Sequence, residues 1–214
     1  MNQILTRSQS PATHCFRHSG EYWIQLTNVE KMEEFFIMPL SSSDHWMFVS
    51  SRGAITAGRR NEDGALFPYY SADKLVDTAG TSGPRTVIHI DDFRGNTLKW
   101  EPFSEGWQSN EIITRRISRN ATANQLCLEE VHTACQLSFR YTWTFSNRFG
   151  FIRDCSLSNF GSQTVGIRLL DGLQNIVPYG IDSRFQLRFS NLGDAYKLNE
   201  LLPDSRLGVY YVSS

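Results

Sequence analysis

The sequence has no apolar run approaching the roughly 18 residues that a membrane-spanning helix requires, which excludes a helical membrane protein as a reading of these residues. The opening Met-Asn-Gln-Ile-Leu-Thr-Arg-Ser-Gln-Ser lacks the apolar centre of a secretory signal, so the chain is expected to be cytoplasmic. An excess of either charge is missing too. Lys and Arg total 21 against 22 Asp and Glu, a formal net charge of -1. A chain so balanced exerts no general pull on nucleic acid or on an anionic membrane, and neither is expected as a partner.

Only four cysteines occur, Cys15, Cys127, Cys135 and Cys155, with no Cys-x-x-Cys spacing. They read as free, buried thiols rather than a disulfide or zinc framework. His14-x-x-x-His18 has helical ligand spacing, but no third ligand is close in sequence and the segment has no helical periodicity, so no metal is expected. Neither common glycine-rich phosphate loop is present, nor is a Gly-x-Ser-x-Gly elbow, which leaves a nucleotide cofactor or a serine hydrolase without local support. Asn120-Ala-Thr122 fits a glycosylation sequon but carries little weight without a secretory signal.

What the chain does have is apolar and aromatic material arranged with period two. Hydrophobic residues make up 40% and aromatics 13%, enough for a substantial core. In Cys135-Gln-Leu-Ser-Phe-Arg-Tyr-Thr-Trp-Thr-Phe145, Leu137, Phe139, Tyr141 and Trp143 share one face, while Ser138, Arg140, Thr142 and Thr144 share the other. That is a strand about 36 Å long, which implies a large sheet. Glu21–Thr27, Trp46–Ser50, Ala54–Ala57, Val87–Ile90, Leu98–Trp100, Glu111–Ser118, Leu126–Leu128, Phe151–Ser158, Val165–Leu170 and Arg184–Phe189 read as further strands, with a hairpin at Arg52-Gly53.

From residue 125 the short connections at 146–150 and 158–163 predict an antiparallel meander. Only Asp194–Leu202, closed by Pro203, has helical spacing. The fold class is therefore all-β: a large antiparallel β-sandwich with little helix. Residues 1–214 are read as a single β-sandwich domain with 1–20 as an arm or edge segment. The last strand-like run, Leu207–Val212, has no partner downstream, so the chain is expected to be part of a longer polypeptide.

Two stretches go beyond a generic β protein. They are Gly53-Ala-Ile-Thr-Ala-Gly-Arg-Arg-Asn-Glu-Asp-Gly-Ala-Leu-Phe-Pro-Tyr-Tyr-Ser-Ala-Asp-Lys74 and Leu170-Asp-Gly-Leu-Gln-Asn-Ile-Val-Pro-Tyr-Gly180. Their placement around the meander resembles the N-terminal region of bacterial proteins related to cellobiose phosphorylases and neighbouring glycoside hydrolases. In that family the first domain is a β-supersandwich of the galactose-mutarotase-like type, followed by a helical linker and a helical toroid. The toroid carries the catalytic acid and the phosphate-binding groups, and this chain has no such toroid. The resemblance therefore implies a non-catalytic, carbohydrate-associated accessory domain. Its implied partners are a di- or oligosaccharide, a helical catalytic domain, or a second copy in a homodimer.

Sugar recognition needs planar hydrogen-bonding groups and an aromatic plate, and loops on a rigid scaffold supply such groups most readily. Arg59, Arg60, Asp63, Tyr69, Tyr70 and Asp73 form one candidate set, and Asp171, Gln174 and Asn175 a second. The competing role for each is structural, in satisfying loop backbone groups. An aldose epimerase of the mutarotase kind would instead use a carboxylate and histidines. Glu129, Glu130, His132 and His89 offer those types, although Glu129 and Glu130 must point to opposite faces of a strand. The remaining alternative is a pure protein-interaction module.

Overall fold

The computed structural model of the chain describes residues 10–68, 72–91, 96–104 and 112–213. The first strands are β1 (Ala12–His18), β2 (Glu21–Thr27), β3 (Phe36–Ile37), β4 (His45–Ser50) and β5 (Ile55–Arg59). Next come β6 (Gly83–Asp91), β7 (Thr97–Trp100), β8 (Ile113–Asn120), β9 (Leu126–His132) and β10 (Leu137–Ser146). The last elements are β11 (Gly150–Asn159), β12 (Gly166–Gln174), the helix α1 (Ser183–Tyr196), β13 (Lys197–Leu202) and β14 (Leu207–Val212).

One sheet has six strands in the order β1-β2-β8-β9-β10-β11, all antiparallel neighbours. Two three-stranded sheets, β3-β4-β5 and β12-β6-β7, supply the opposite layer, and β13-β14 form a separate hairpin. The turns follow from local chemistry. Ser19 and Gly20 both have positive φ, the requirement of a two-residue type I′ hairpin joining β1 to β2. At the β10–β11 turn, Ser146 Oγ accepts from the backbone N–H groups of Arg148 and Phe149, both at 3.2 Å.

The inward faces of the two layers share one hydrophobic cluster. Leu137, Phe139, Tyr141 and Trp143 of β10 are buried, as are Leu126 and Leu128 of β9. They meet Met47 and Val49 from β4, Ile55 and Ala57 from β5, Ile88 and Ile90 from β6, and Trp100 from β7. Each large side chain so covered contributes about 1.5–3 kcal/mol relative to exposure. The chain is thus an all-β sandwich, as the alternation predicts.

Two local expectations need correction. Arg184–Phe189 is not a strand but lies in α1, and Lys197–Leu202 is not helical but β13. The cap decides the first case: Asp182 accepts from Phe185 N at 2.6 Å, so its carboxylate satisfies a free N–H of the first turn. Pairing decides the second, because residues 197–202 find a complete antiparallel partner in 207–212. A cross-strand partner outweighs the local leucine spacing.

The meander is also shorter than expected. It runs from β8 through β11, after which the 160–165 connection carries the chain to the other layer, where β12 pairs with β6 from Gly166↔Asp91 to Gln174↔Gly83. The cysteines are all free, but Cys15 and Cys155 are exposed rather than buried. No residue of α1, β13 or β14 joins the described core cluster. This last part of the chain displays large apolar side chains, among them Leu187 at 85% exposure, Leu201 and Tyr210.

Candidate functional site

The first set of candidate loop residues is held by surface ion pairs and a helix cap. Arg59 Nε donates to both Asp44 oxygens at 2.9 Å, and Arg60, at φ 67°, adds a bond at 3.3 Å. The Arg59 hydrogen bond, helped by Arg60, keeps the Asp44 carboxyl below its ordinary pKa. Asp63 accepts from the Ser183 hydroxyl at 2.7 Å and from Ser183 N at 3.0 Å, which ties the Glu62–Gly64 turn to the start of α1 and lowers the pKa of Asp63. Tyr69 and Tyr70 lie outside the described residues, and so does the side chain of Asp73.

The second set converges on one wall. Asp171 receives Arg153 Nη1 and Nη2 at 2.7 and 2.9 Å, a bidentate fork, and the Thr86 hydroxyl at 2.6 Å. Burial pushes this carboxyl up, but the Arg153 and Thr86 hydrogen bonds outweigh it and hold the pKa below the usual value. Gln174 Nε2 donates to Gly80 O at 2.8 Å, and Asn175 Nδ2 to Ser82 Oγ at 3.1 Å. All three side chains therefore brace residues 80–86 from behind. The two loop segments do run side by side, joined by Val177 N to Leu66 O at 2.8 Å, yet their polar side chains serve different partners.

The epimerase candidates do not share an accessible surface. Glu129 faces outward and pairs with Arg116 at 3.1 Å. Glu130 and His132 face the core, fully buried, and His89 stands across from Lys99 and Arg168 in the other layer. Burial holds the His132 imidazole below its usual pKa, which favours the neutral ring. Glu130 accepts from Trp100 Nε1 (2.8 Å), Phe103 N (2.8 Å) and Arg115 Nε (2.7 Å), so its lone pairs are committed to structure. Among the described residues no three His, Cys, Asp or Glu side chains converge as metal ligands.

The strand register builds a surface that single-strand patterns do not show. Across the outer face of the six-stranded sheet, neighbouring positions run His14, Gln25, Ser118, Cys127, Thr142 and Asp154. The adjoining row is Thr27, Arg116, Glu129, Arg140 and Ser156. Gln25 Nε2 donates to Ser118 Oγ at 3.0 Å and Arg140 Nε to Ser156 Oγ at 3.2 Å, which fixes these side chains flat along the sheet. At the β1–β2 edge, Phe16 and Trp23 stack with centroids 6.3 Å apart and planes inclined by 22°, and His18 meets Trp23 edge-on. Apart from His14, Thr27 and Arg116, these residues line a groove of about 590 Å³ with a polar floor and an aromatic wall.

A second cavity, of about 250 Å³, opens at one end of the sandwich. Its sides are the β4–β5 turn at Arg52–Ala54, residues 79–86 and residues 101–104, with Tyr141 at the base. Asp171, Gln174 and Asn175 thus stand behind a cavity wall rather than in the cavity. Compared with known proteins, the chain matches no protein-family model and no curated sequence.

Proposed function

We propose that the chain is a non-catalytic, carbohydrate-associated β-sandwich domain of the galactose-mutarotase-like supersandwich type, an accessory part of a cytoplasmic glycoside phosphorylase-like or hydrolase-like protein. Its ligand is a di- or oligosaccharide lying along the outer face of the six-stranded sheet. The observation that supports this reading is the pairing, in one groove, of the Phe16–Trp23 stack with two cross-strand rows of hydroxyl, amide and charged groups. An aromatic face suits the C–H side of a sugar ring, and fixed polar groups suit its hydroxyls. The non-catalytic reading is supported by Glu130 and His132, candidates for an epimerase, which are both buried, with Glu130 already accepting from three donors.

The exposed leucines of α1 and the β13–β14 hairpin favour a further role in packing, against a helical catalytic domain or a second copy. The test of the sugar reading is titration of the chain with di- to hexasaccharides of glucose, xylose and galactose, followed by tryptophan fluorescence. The expected result is a saturable change that Trp23→Leu and Asp154→Ala each weaken. A flat response to every series, with mass rising with concentration in light scattering, would replace it by the pure interaction module.

A further inference from the structure

We propose that the end cavity is a second binding site, separate from the sheet groove, that takes a single neutral polyhydroxy ring. Three observations carry this. The first is Tyr141, which is 2% exposed yet lies at the base of the cavity, and whose Oη has no hydrogen-bond partner among the described residues. The ring is buried while the hydroxyl is left open to the cavity, so one donor and one acceptor are offered to whatever enters.

The second is the way the ring is held. Phe103 packs edge-on against it at 5.2 Å between centroids, and the Arg153 guanidinium lies over it at 4.8 Å. Arg153 is itself fixed by Asp171, and Phe103 adopts φ 63°, with its N–H donated to Glu130. A bulky residue in the left-handed region persists only where its surroundings enforce it. The Tyr141 hydroxyl is therefore presented at a fixed point. Gly53, at φ 90°, keeps the approach open, since a Cβ there would lie 3.2 Å from Tyr141 Oη and 3.3 Å from Phe103 Cβ.

The third is charge and size. The guanidinium groups at the rim arrive already matched: Arg85 binds Glu101 at 2.5 Å and Arg52 lies 3.6 Å from Glu34, while Lys99 also reaches Glu101. Burial raises the Tyr141 pKa well above the ordinary phenol value, which keeps this hydroxyl neutral and able both to donate and to accept. A free anion would have to break the rim ion pairs, whereas a neutral hydroxylated ring meets donors and acceptors as they stand. At about 250 Å³ the cavity lies below the usual range of about 300–1,000 Å³ for drug-sized ligands, which favours one ring over a chain of them.

The experiment is calorimetric titration of the intact 214-residue chain with glucose, galactose and myo-inositol, and separately with inorganic phosphate. Tyr141→Phe removes only the unpartnered Oη and is expected to keep the wild-type melting temperature or exceed it. The expected result is binding of at least one neutral ring, weakened about tenfold or more by Tyr141→Phe and unaffected by Asp154→Ala in the groove. Conversely, oligosaccharide binding in the groove should be unchanged by Tyr141→Phe. The proposal is overturned if Tyr141→Phe binds the rings as the wild type does, if no neutral ring binds at tens of millimolar, or if phosphate binds and the rings do not.

Discussion

Arg115 on β8 and Glu130 on β9 stand directly across from each other and form an ion pair of 2.7 Å, at 1% and 0% exposure, inside the apolar core. The pair also organises the cavity end. Arg115 Nη2 donates to Ser104 O at 3.0 Å, and Glu130 holds Trp100 Nε1 and Phe103 N, so residues 100–104 are tied to the six-stranded sheet. Leaving either charge alone should be strongly destabilising. Glu130→Gln and Arg115→Met are each expected to lower stability by about 3–5 kcal/mol in urea unfolding. Replacing both by apolar residues should cost less than the sum of the two. Additive losses would show that the two charges act independently.

A milder, pH-dependent effect is expected of Asp171. Its folded-state pKa is depressed, so its contribution to stability is present above the unfolded carboxylate pKa near 3.9 and is lost as pH falls through the lower folded value. Thermal melts of the wild type between pH 6 and pH 2 should therefore fall more steeply at the acid end than those of Asp171→Asn. Parallel curves would mean that Arg153 and Thr86 do not favour the ionised form.

His132 contributes an opposite kind of group, one held neutral by burial. Since its folded pKa lies below the unfolded value, stability should decline as pH drops through about 6.5, where only the unfolded chain takes up the proton. His132→Phe should flatten this part of the profile. An unchanged slope between pH 7 and pH 5 would assign the decline to other groups.

The thiols offer a chemical check on the groove. Cys15 is exposed, whereas Cys127 is partly covered in the groove floor, and burial raises its pKa. Iodoacetamide at pH 7.5 should modify Cys15 first, with Cys127 slower because little thiolate is present. A bound oligosaccharide should slow Cys127 further and leave Cys15 unchanged. Equal protection of both would place the ligand elsewhere.

Polarimetry addresses catalysis. Interconversion of α-glucose or α-galactose anomers should proceed at the buffer rate in the presence of the chain, because neither Glu130 nor His132 is open to a substrate. Acceleration abolished by Glu129→Gln would instead support an epimerase using the outer face.

Strand identity was legible wherever alternation was long. Glu21–Thr27 forms β2 with those same limits, and the apolar face of residues 137–143 became the centre of the core. What period two cannot encode is which strand lies beside which. Val165–Leu170 reads as a continuation of the meander, but β12 crosses to the opposite layer and pairs with β6, far back in the sequence. The helix–strand exchange near the end has a similar cause, since Asp182 and the 207–212 partner act through contacts that a short window does not contain.

The candidate site follows the same logic. Charged loop residues such as Arg59, Arg60 and Asp63 stand out in the sequence, but their charges are used to fasten Asp44 and Ser183. Asp171, Gln174 and Asn175 stand out for the same reason and turn out to brace the wall of the end cavity. Gln25, Ser118, Thr142 and Asp154 look like ordinary solvent-facing positions until the register places them in one row. Their alternation was readable, and their adjacency was not.

The most direct test of the central claim is amide NMR of the chain during titration with the oligosaccharide series. The account predicts that shifts begin at Trp23, Gln25, Ser118, Thr142 and Asp154 and spread no further than the outer face of the six-stranded sheet. Spectra that stay unchanged at millimolar sugar, or shifts confined to residues 183–212, would contradict it.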